Sequence, residues 1–489
     1  MIKGFPKLYK VTLRLFTYHL QKGSSTNYER IHISRSDIQS YYDVLLKEYH
    51  ASDSQGVPLQ IQWRSDEPKS PFDLLDIAAT NGRHIQNFIL AWQPPFKGFF
   101  YPQLFDDSYI GSFTFYLPDL SGKDGLSVAE LKALKPSIHF FSGTTVSVND
   151  DLEQQKLCQI LRTAFLGKTL ILSAQLREDP EDSTQFAQMC LLSLLGLSSL
   201  PEALPLRNRW RFFNGYVYEF CSPEQDSYYG KIWLFLTFRE NSITRLDKSQ
   251  FEWSELFLYD YKNFGNYQDS QAEYQEGLNN IEKIEAIIQQ FPSNISDDKR
   301  LDLSPEQLNQ LKGNLKRLLD ISLSYSQTLR SLANFHNTID IHRQNYEQKI
   351  IYIENITDSN LTATLKFADR NFRQYQKQIT ANLTYLGEGS RLLDTAIATI
   401  RGLVEIEQAE GDRILQDEIQ AIGVGITAGA IVASTSGLML EPWELPNPQK
   451  PDQLPHPFLI ALLVSCICSV GAWKIAQKRI KHRRNIKSN

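Results

Sequence analysis

The chain has 489 residues, with 51 Lys and Arg against 56 Asp and Glu. This length holds an ordinary core plus one or two further units. Without the seven cations that follow Trp473, 44 Lys and Arg face 56 acids, a net charge of about −12, which argues against the basic face of a nucleic-acid-binding protein. The five cysteines show no CxxC spacing and are expected to be reduced thiols that serve packing.

Residues 1–255 are predicted to form a mixed α/β domain. Alternating or continuous apolar runs predict strands at 9–18, 30–34, 59–63, 112–117, 137–141, 169–174, 215–220 and 231–238. Helical patterns lie between them at 37–49, 150–165 and 183–197. Strands that alternate with helices favour a layered α/β unit, and the last two strands are expected to form a hairpin with a long loop.

Residues 256–356 are predicted to be helical. A short helix is expected at 269–291, and Ser304 followed by Pro305 is a strong start for a second. The second helix carries a heptad seam, which predicts antiparallel coiled-coil packing. The seam consists of Leu308, Leu311, Leu315, Leu318, Ser322, Tyr325, Leu329, Leu332, His336, Ile339, Arg343, Tyr346, Ile350 and Ile353. His336 is interpreted as a register-setting residue rather than as a ligand.

A stalk helix is predicted over 357–418. The sequence TDSN at 357–360 marks a break, with Asp358 or Ser359 as the expected cap of the following helix. That helix has no obvious stop before an uncharged run at 419–440, so the stalk is predicted to continue into a transmembrane helix.

Two membrane spans are predicted at the end of the chain. The first is 419–440, which at about 1.5 Å per residue reaches across a hydrocarbon core, and the second is 458–476. An outer loop, 441–457, joins them, and the tail 477–489 is rich in Lys and Arg. The positive-inside rule then predicts a multi-pass protein of the inner or plasma membrane with both termini in the cytoplasm. A pair of buried helices in a soluble domain is the alternative.

Polar residues follow one face of the first predicted span. Gln420, Thr427, Ser434 and Glu441 recur every seven residues. They predict either a pore lining or, since small residues lie beside them, simple helix packing. Below the span, Glu410 and Asp417 are expected to form an inner acidic ring that attracts cations, unless they belong to a solvated face.

No enzyme signature is present. The run GVGITA at 423–428 imitates a dinucleotide fingerprint, but no strand precedes it. The acid pairs Asp106–Asp107 and Asp150–Asp151 are compatible with metal sites, although loop carboxylates are usually ordinary surface. We therefore expect no catalytic residue and no cofactor, apart from Mg²⁺ or another cation as a transported or regulatory ion.

The predicted order of elements resembles that of the CorA-type magnesium channels: an α/β domain, long antiparallel helices, a stalk helix, two spans and a basic tail. The resemblance implies an α+β membrane protein that forms pentamers, with the first span lining the pore. The Gly-Met-Asn motif of that family is replaced by Ser436-Gly437-Leu438-Met439-Leu440, so the resemblance assigns Gly437 and Glu441 to the outer mouth but does not carry over the magnesium selectivity.

The function expected from the sequence is that of a CorA-like cation channel or transporter. Its expected partners are the lipid bilayer, cations and further copies of the same chain. The alternative is a membrane-anchored sensor, effector or scaffold that conducts no ions. A membrane-bound enzyme is a weaker third hypothesis, because no nucleophile, metal or phosphate constellation appears.

Overall fold

The computed structural model describes twelve stretches of the chain. They are 6–21, 33–48, 50–64, 72–75, 85–90, 96–116, 125–134, 165–199, 204–212, 214–221, 230–291 and 305–408. The chain divides into two compact units. The first is drawn from Met1–Ala272 and Asn334–Ile379, and the second from Glu273–Ala333 and Thr380–Asn489.

The first unit contains a mixed β-sheet. Its strands are β1 Leu8–Leu20, β2 Ala51–Ser52, β3 Phe72–Asp73, β4 Gln86–Leu90, β5 Phe96–Phe105, β6 Ser108–Tyr116, β7 Phe165–Leu176, β8 Leu206–Phe212, β9 Gly215–Cys221 and β10 Lys231–Thr237. The order across the sheet is β2-β4-β5-β6-β1-β7-β10-β9-β8, with β3 paired to β5. Among the described strands only β7 and β10 run parallel, whereas every other pair is antiparallel.

Five of the predicted strands coincide with β1, β6, β7, β9 and β10, and the last two form the predicted antiparallel pair. Sequence patterns missed the other five strands, β2, β3, β4, β5 and β8. The run at 59–63 forms only an isolated bridge, and the run at 137–141 lies outside the described residues. The sheet is therefore mainly antiparallel, which corrects the expectation of strands that alternate regularly with helices.

The first face of the sheet is mainly apolar, although Thr17, His19 and Lys168 are also buried there. Because neighbouring residues of a strand point to opposite faces, one alternate set of each strand packs here against helices α1 (Arg35–Glu48) and α2 (Ser183–Leu195). The set includes Leu13, Leu15, Phe100, Phe113, Phe115, Leu170, Leu172, Tyr218, Phe220 and Leu234, all buried. The rings of Phe100 and Phe113 stack with centroids 4.4 Å apart.

The second face is covered by helices α3 (Glu240–Lys248) and α4 (Gln250–Ile288). Aromatic contacts place them: Phe251 lies 4.5 Å from Tyr101 and Phe257 lies 4.9 Å from Trp233, ring centre to ring centre. Helix α4 is longer than the pattern predicted, because it starts at Gln250 rather than near 269. Covering both faces explains why β1, β7 and β10 are almost continuously apolar.

Two more long helices follow, α5 (Pro305–Thr357) and α6 (Thr362–Gln408). In the first unit, Glu255 of α4 pairs with Lys349 and Tyr259 lies near His342, so α4 and α5 run antiparallel there. In the second unit, the amide of Asn280 donates to Ser324 across the same two helices. Also in that unit, the Tyr325 hydroxyl donates to the Leu386 carbonyl of α6 at 2.5 Å.

The helix ends agree in part with the sequence. Helix α5 begins at Pro305 as predicted, and the break after Thr357 is where TDSN predicted it. The cap of α6 differs: the side chain of Asn360, rather than Asp358 or Ser359, accepts from the Thr362 amide at 2.9 Å. An Asn directly before the first turn supplies an acceptor for an amide that has no partner within the helix.

The heptad seam of α5 is largely buried. Leu311, Leu315, Leu318, Tyr325, Leu332, Ile339, Tyr346, Ile350 and Ile353 are all inside, whereas the polar seam members Ser322, His336 and Arg343 are half-buried. Burial of one helix face shows that α5 packs against neighbouring helices, but it does not establish a coiled coil.

The prediction of an α+β membrane protein is corrected. None of the helices in the part of the chain that the structure describes is both long and apolar enough to cross a bilayer. Helix α6 has 47 residues, but charges recur along it, such as Asp369, Arg373 and Arg391, and charged side chains in a hydrocarbon core are costly. Multi-pass membrane localisation is withdrawn on the same finding. The ranges 419–440 and 458–476 lie outside the described residues.

Candidate functional site: ion pairs on the second face of the sheet

Charged and hydroxyl side chains occupy the middle of the second face, beneath α3 and α4. The buried polar residues there are Thr12, Arg14, Ser112, Thr114, Thr169, Ser173, Glu219, Lys231 and Thr237. A buried charge is expensive unless it is paired, so each of these cations requires a partner from the covering helices. Two ion pairs meet that requirement for Arg14 and Lys231, and a third joins the buried Lys262 of α4 to the turn between β5 and β6.

The first ion pair joins β1 to α3. The Arg14 side chain is 1% exposed, and its Nη2 donates to the carboxylate of Asp247. Its Nη1 donates to the Ser173 hydroxyl at 3.0 Å, while its Nε has no partner among the described residues. Burial lowers the pKa of Arg14, and burial also raises the pKa of Asp247 despite the nearby cations. The guanidinium thus ties α3 to the centre of the sheet.

The second ion pair joins β10 to α4. The Lys231 ammonium contacts the carboxylate of Asp260 and lies 4.9 Å from the centre of the Tyr261 ring. Burial lowers the pKa of Lys231, and the nearby Glu219 partly opposes that effect. Glu219 itself accepts from the Asn208 amide at 2.5 Å. This cluster continues the charged layer toward the β8 edge of the sheet.

The third ion pair joins α4 to the turn between β5 and β6. The buried Lys262 ammonium lies 2.5 Å from the Asp107 carboxylate, which also accepts from the Ser108 hydroxyl at 3.0 Å. These contacts lower the pKa of Asp107 against the opposing effect of burial. On α5, burial lowers the pKa of His342 to about 4, and its ring lies 5.9 Å from Tyr259.

Helix α5 is attached to α3 and α4 by similar contacts. The Lys349 ammonium pairs with Glu255 of α4, where burial raises the pKa of the carboxyl group. Arg245 of α3 donates to the Thr357 carbonyl at 2.7 Å, at the C-terminus of α5. A cation at this end satisfies a carbonyl that has no partner within the helix and complements the helix dipole.

Each of the three sheet–helix pairs is asymmetric. The cation side chains are 1%, 10% and 6% exposed, whereas their carboxylates on Asp247, Asp260 and Asp107 are 42%, 27% and 62% exposed. The carboxylate is therefore the partner that solvent can reach.

Metal binding and nucleophilic catalysis find little support among the described residues. No group of three or more His, Cys, Asp or Glu there has the geometry to hold a metal ion. The free thiols of Cys190 and Cys221 are buried, and burial raises the pKa of both, which opposes the thiolate form that a nucleophile requires. Burial lowers the pKa of His19 to about 3, so that imidazole stays neutral.

The residues that the sequence assigned to a pore lie outside the described residues. They are Gln420, Thr427 and Ser434 for the lining, Gly437 and Glu441 for the outer mouth, and Glu410 and Asp417 for the inner ring. Ion conduction by these residues, a regulatory cation and a homo-oligomer stay predictions. Asp150–Asp151 also lies outside, whereas Asp107 of the other acid pair is bound to Lys262.

Sequence reasoning missed the ion pairs, although their signal was present. Arg14 is the charged residue in the middle of an apolar run, VTLRLFTY, and Lys231 opens another, KIWLFLTF. A charge within a strand buried on both faces has to find a partner, so each position predicted a buried pair. The identity of the partner depended on which helix covered that face, which strand patterns do not specify.

Comparison with known protein families finds no match to this chain, and comparison with curated proteins finds none either. The resemblance to the CorA-type channels therefore stays a prediction.

Proposed function

We propose that this protein is a non-enzymatic sensing and coupling protein, in which buried ion pairs connect the state of the sheet to the helices that cover it. The observation that carries the proposal is the asymmetry of the three sheet–helix pairs: a buried cation faces a carboxylate that solvent can reach. All six residues of the three pairs lie in the first unit.

Apolar packing and ion pairs differ in how they fix the position of a helix. Apolar packing is non-directional, so it does not by itself specify which residue of a helix lies over which residue of the sheet. A buried cation holds its carboxylate at one position, because separating the two leaves an uncompensated charge in the interior. Movement of α3 or α4 is therefore linked to the positions of Arg14 and Lys231 within β1 and β10.

The ion pairs also lead onward to α5. Asp247 and Arg245 lie on the same short helix, α3, so that helix contacts both Arg14 of the sheet and the C-terminus of α5. Asp260 and Glu255 likewise lie on α4, which contacts both Lys231 and Lys349. A change at the sheet then reaches α5 through two helices, each with charged contacts on both sides.

The experiment is a double-mutant cycle with Arg14→Met and Lys349→Met, measured as free energies of unfolding. The two side chains share no partner, so independent sites would give effects that add to within about 0.5 kcal/mol. A coupled interface predicts a coupling energy above that value. Additive effects would contradict the proposal.

The matched control replaces Arg14→Met by Lys10→Met. Lys10 also joins β1 to α3, through Glu240, but both of its partners are exposed. An exposed pair contributes little, so its cycle with Lys349→Met should be additive. Coupling in both cycles would indicate a general loosening of the fold instead of transmission through the buried pairs.

A further inference from the structure

Strand β8 forms one edge of the sheet and carries three arginines: Arg209 and Arg211 share one face, whereas an irregularity between Leu206 and Asn208 places Arg207 beside Cys221 of the other face. The strand reads LRNRWRF, and Arg207, Arg209 and Arg211 are all exposed. Its inner side pairs with β9, whereas within the described part of the chain no strand pairs with its outer side. Its outer backbone groups are thus available to an added strand.

Two of these arginines lie beside the ring of Tyr216. Arg209 lies over the Tyr216 ring, 4.9 Å from the centroid, and its Nη1 donates to the Thr184 hydroxyl at 3.3 Å. Arg211 lies 5.9 Å from the same ring. Neither arginine forms an ion pair with a described residue. Two backbone hydrogen bonds and the nearby charge of Arg209 lower the pKa of Asp182, the cap of α2, whereas Arg211 has no ion-pair partner among the described residues.

The opposite face of the edge also has an unused donor. Trp210 packs against Trp233, with ring centres 5.2 Å apart. Its indole Nε1 is buried and has no hydrogen-bond partner among the described residues. One face of β8 therefore carries the cationic side chains of Arg209 and Arg211, and the other carries a buried indole donor that has no acceptor among the described residues.

We propose that β8 binds an extended acidic peptide segment by β-strand addition. Backbone pairing would supply affinity, and side chains two residues apart in the added strand would face Arg209 and Arg211. Carboxylates at alternate positions match guanidinium groups at the same period. The proposal rests on residues other than the three sheet–helix pairs, so it stands or falls independently of the coupling function.

A second copy of this chain is a poorer occupant of the edge. Antiparallel pairing of β8 with β8 would bring arginine rows together, and like charges that lie opposite each other destabilise a sheet. Charged residues on an edge also serve simply to prevent aggregation. For that purpose a hydrated charge is enough, whereas Arg209 is held between the Tyr216 ring and the Thr184 hydroxyl.

The experiment uses the full chain and a fluorescein-labelled peptide of alternating Glu and Val, with fluorescence anisotropy as the readout. Saturable binding is expected, and it should weaken at least about tenfold in the Arg209→Glu/Arg211→Glu variant. The matched control is Lys316→Glu/Arg317→Glu, which changes two exposed cations of α5 and should leave binding unchanged. The milder Arg209→Gln/Arg211→Gln variant repeats the test if the first fails to fold.

A second peptide separates strand addition from simple charge attraction. It has the same side chains but is N-methylated on alternate amides, so it cannot complete the backbone pairing. Loss of binding by this peptide supports the proposal. Equal binding of the two peptides, equal weakening in the control variant, or no binding of the unmodified peptide to the wild-type chain would each overturn it.

Discussion

The two faces of the sheet are both buried, but different forces bury them. The first face meets α1 and α2 through aliphatic and aromatic side chains, whereas the second meets α3 and α4 through aromatic rings and ion pairs. The first face gains stability in proportion to the apolar area that it removes from water. The second face gains less from its charges, because the cost of desolvating them offsets the attraction.

The two faces of the sheet therefore have different roles. Apolar packing stabilises the fold, and substitutions there should lower stability without changing which helix moves with which strand. Ion pairs specify the position of a helix on the sheet. Substitutions of the paired residues should therefore change the coupling between strand and helix by more than the change in the free energy of unfolding indicates. The following changes test that division.

The largest effect is expected from Phe113→Ala on the first face. Phe113 is fully buried and stacks on Phe100 with ring centres 4.4 Å apart. Loss of a buried aromatic ring leaves a cavity and should lower the free energy of unfolding by about 3–5 kcal/mol. Urea denaturation of the purified protein measures this. A loss below about 1 kcal/mol would mean that the apolar face is not the main source of stability.

On the second face, Asp247→Leu should cost about 3 kcal/mol, because it leaves the buried Arg14 without its counter-charge. The value lies at the low end of the usual range because the Asp247 side chain is 42% exposed. The double variant Arg14→Met/Asp247→Leu removes both charges and should recover most of that loss. If the double variant is as unstable as the single one, the ion pair itself contributes net stability. The second face would then gain more from its charges than the difference between the two faces implies.

Acidification should destabilise the protein through His342. Burial lowers its pKa from 6.5 to about 4, so below pH 6.5 the unfolded chain binds a proton that the folded chain does not. Stability should therefore fall as the pH decreases from 6.5 toward 4, by at most about 2 kcal/mol at pH 5. Burial raises the pKa of Asp247 and Glu255, which acts in the opposite direction near pH 4.

The contribution of His342 is isolated by comparison with His342→Phe, since His19, Asp247 and Glu255 are common to both proteins. Denaturation midpoints measured from pH 7 to pH 5 should decrease more in the wild type than in the variant. Parallel decreases in the two proteins would exclude His342 as the cause.

The smallest effect is expected from Glu240→Gln. Glu240 pairs with Lys10, so this pair joins β1 to α3 just as the pair of Arg14 and Asp247 does, but both of its partners are exposed. Exposed ion pairs contribute about 0–1 kcal/mol, and the change in thermal midpoint should lie near the error of the measurement. A loss as large as that of Asp247→Leu would show that burial is not what distinguishes the two pairs.

Sequence patterns predicted those parts of the fold that local periodicity determines. Strands β1, β7 and β10 were predicted because strands covered on both faces are apolar throughout. Strand β8 was missed because an edge strand with Arg at every second position lacks that pattern, and β5 was missed because it contains Gly98 and Pro102. The start of α5 was predicted because Ser-Pro is a local signal.

The candidate site was less predictable because its partners are distant in the chain. Arg14 meets Asp247 across more than two hundred residues, and no spacing rule connects them. The regular spacing of the acidic and polar residues at 410–441 led to the prediction of a pore, yet these residues lie outside the described residues. Regular spacing reveals helices and strands, whereas long-range ion pairs depend on topology.

The position of β1 in the sheet has a consequence for synthesis of the protein. Although β1 is made first, its two neighbours are β6 and β7, which end at residues 116 and 176. An apolar strand thus leaves the ribosome long before either partner exists, and such unpaired strands are prone to aggregate. Both edges of β1 therefore stay unpaired until β6 has emerged, and the edge that pairs with β7 stays open until residue 176 has been made.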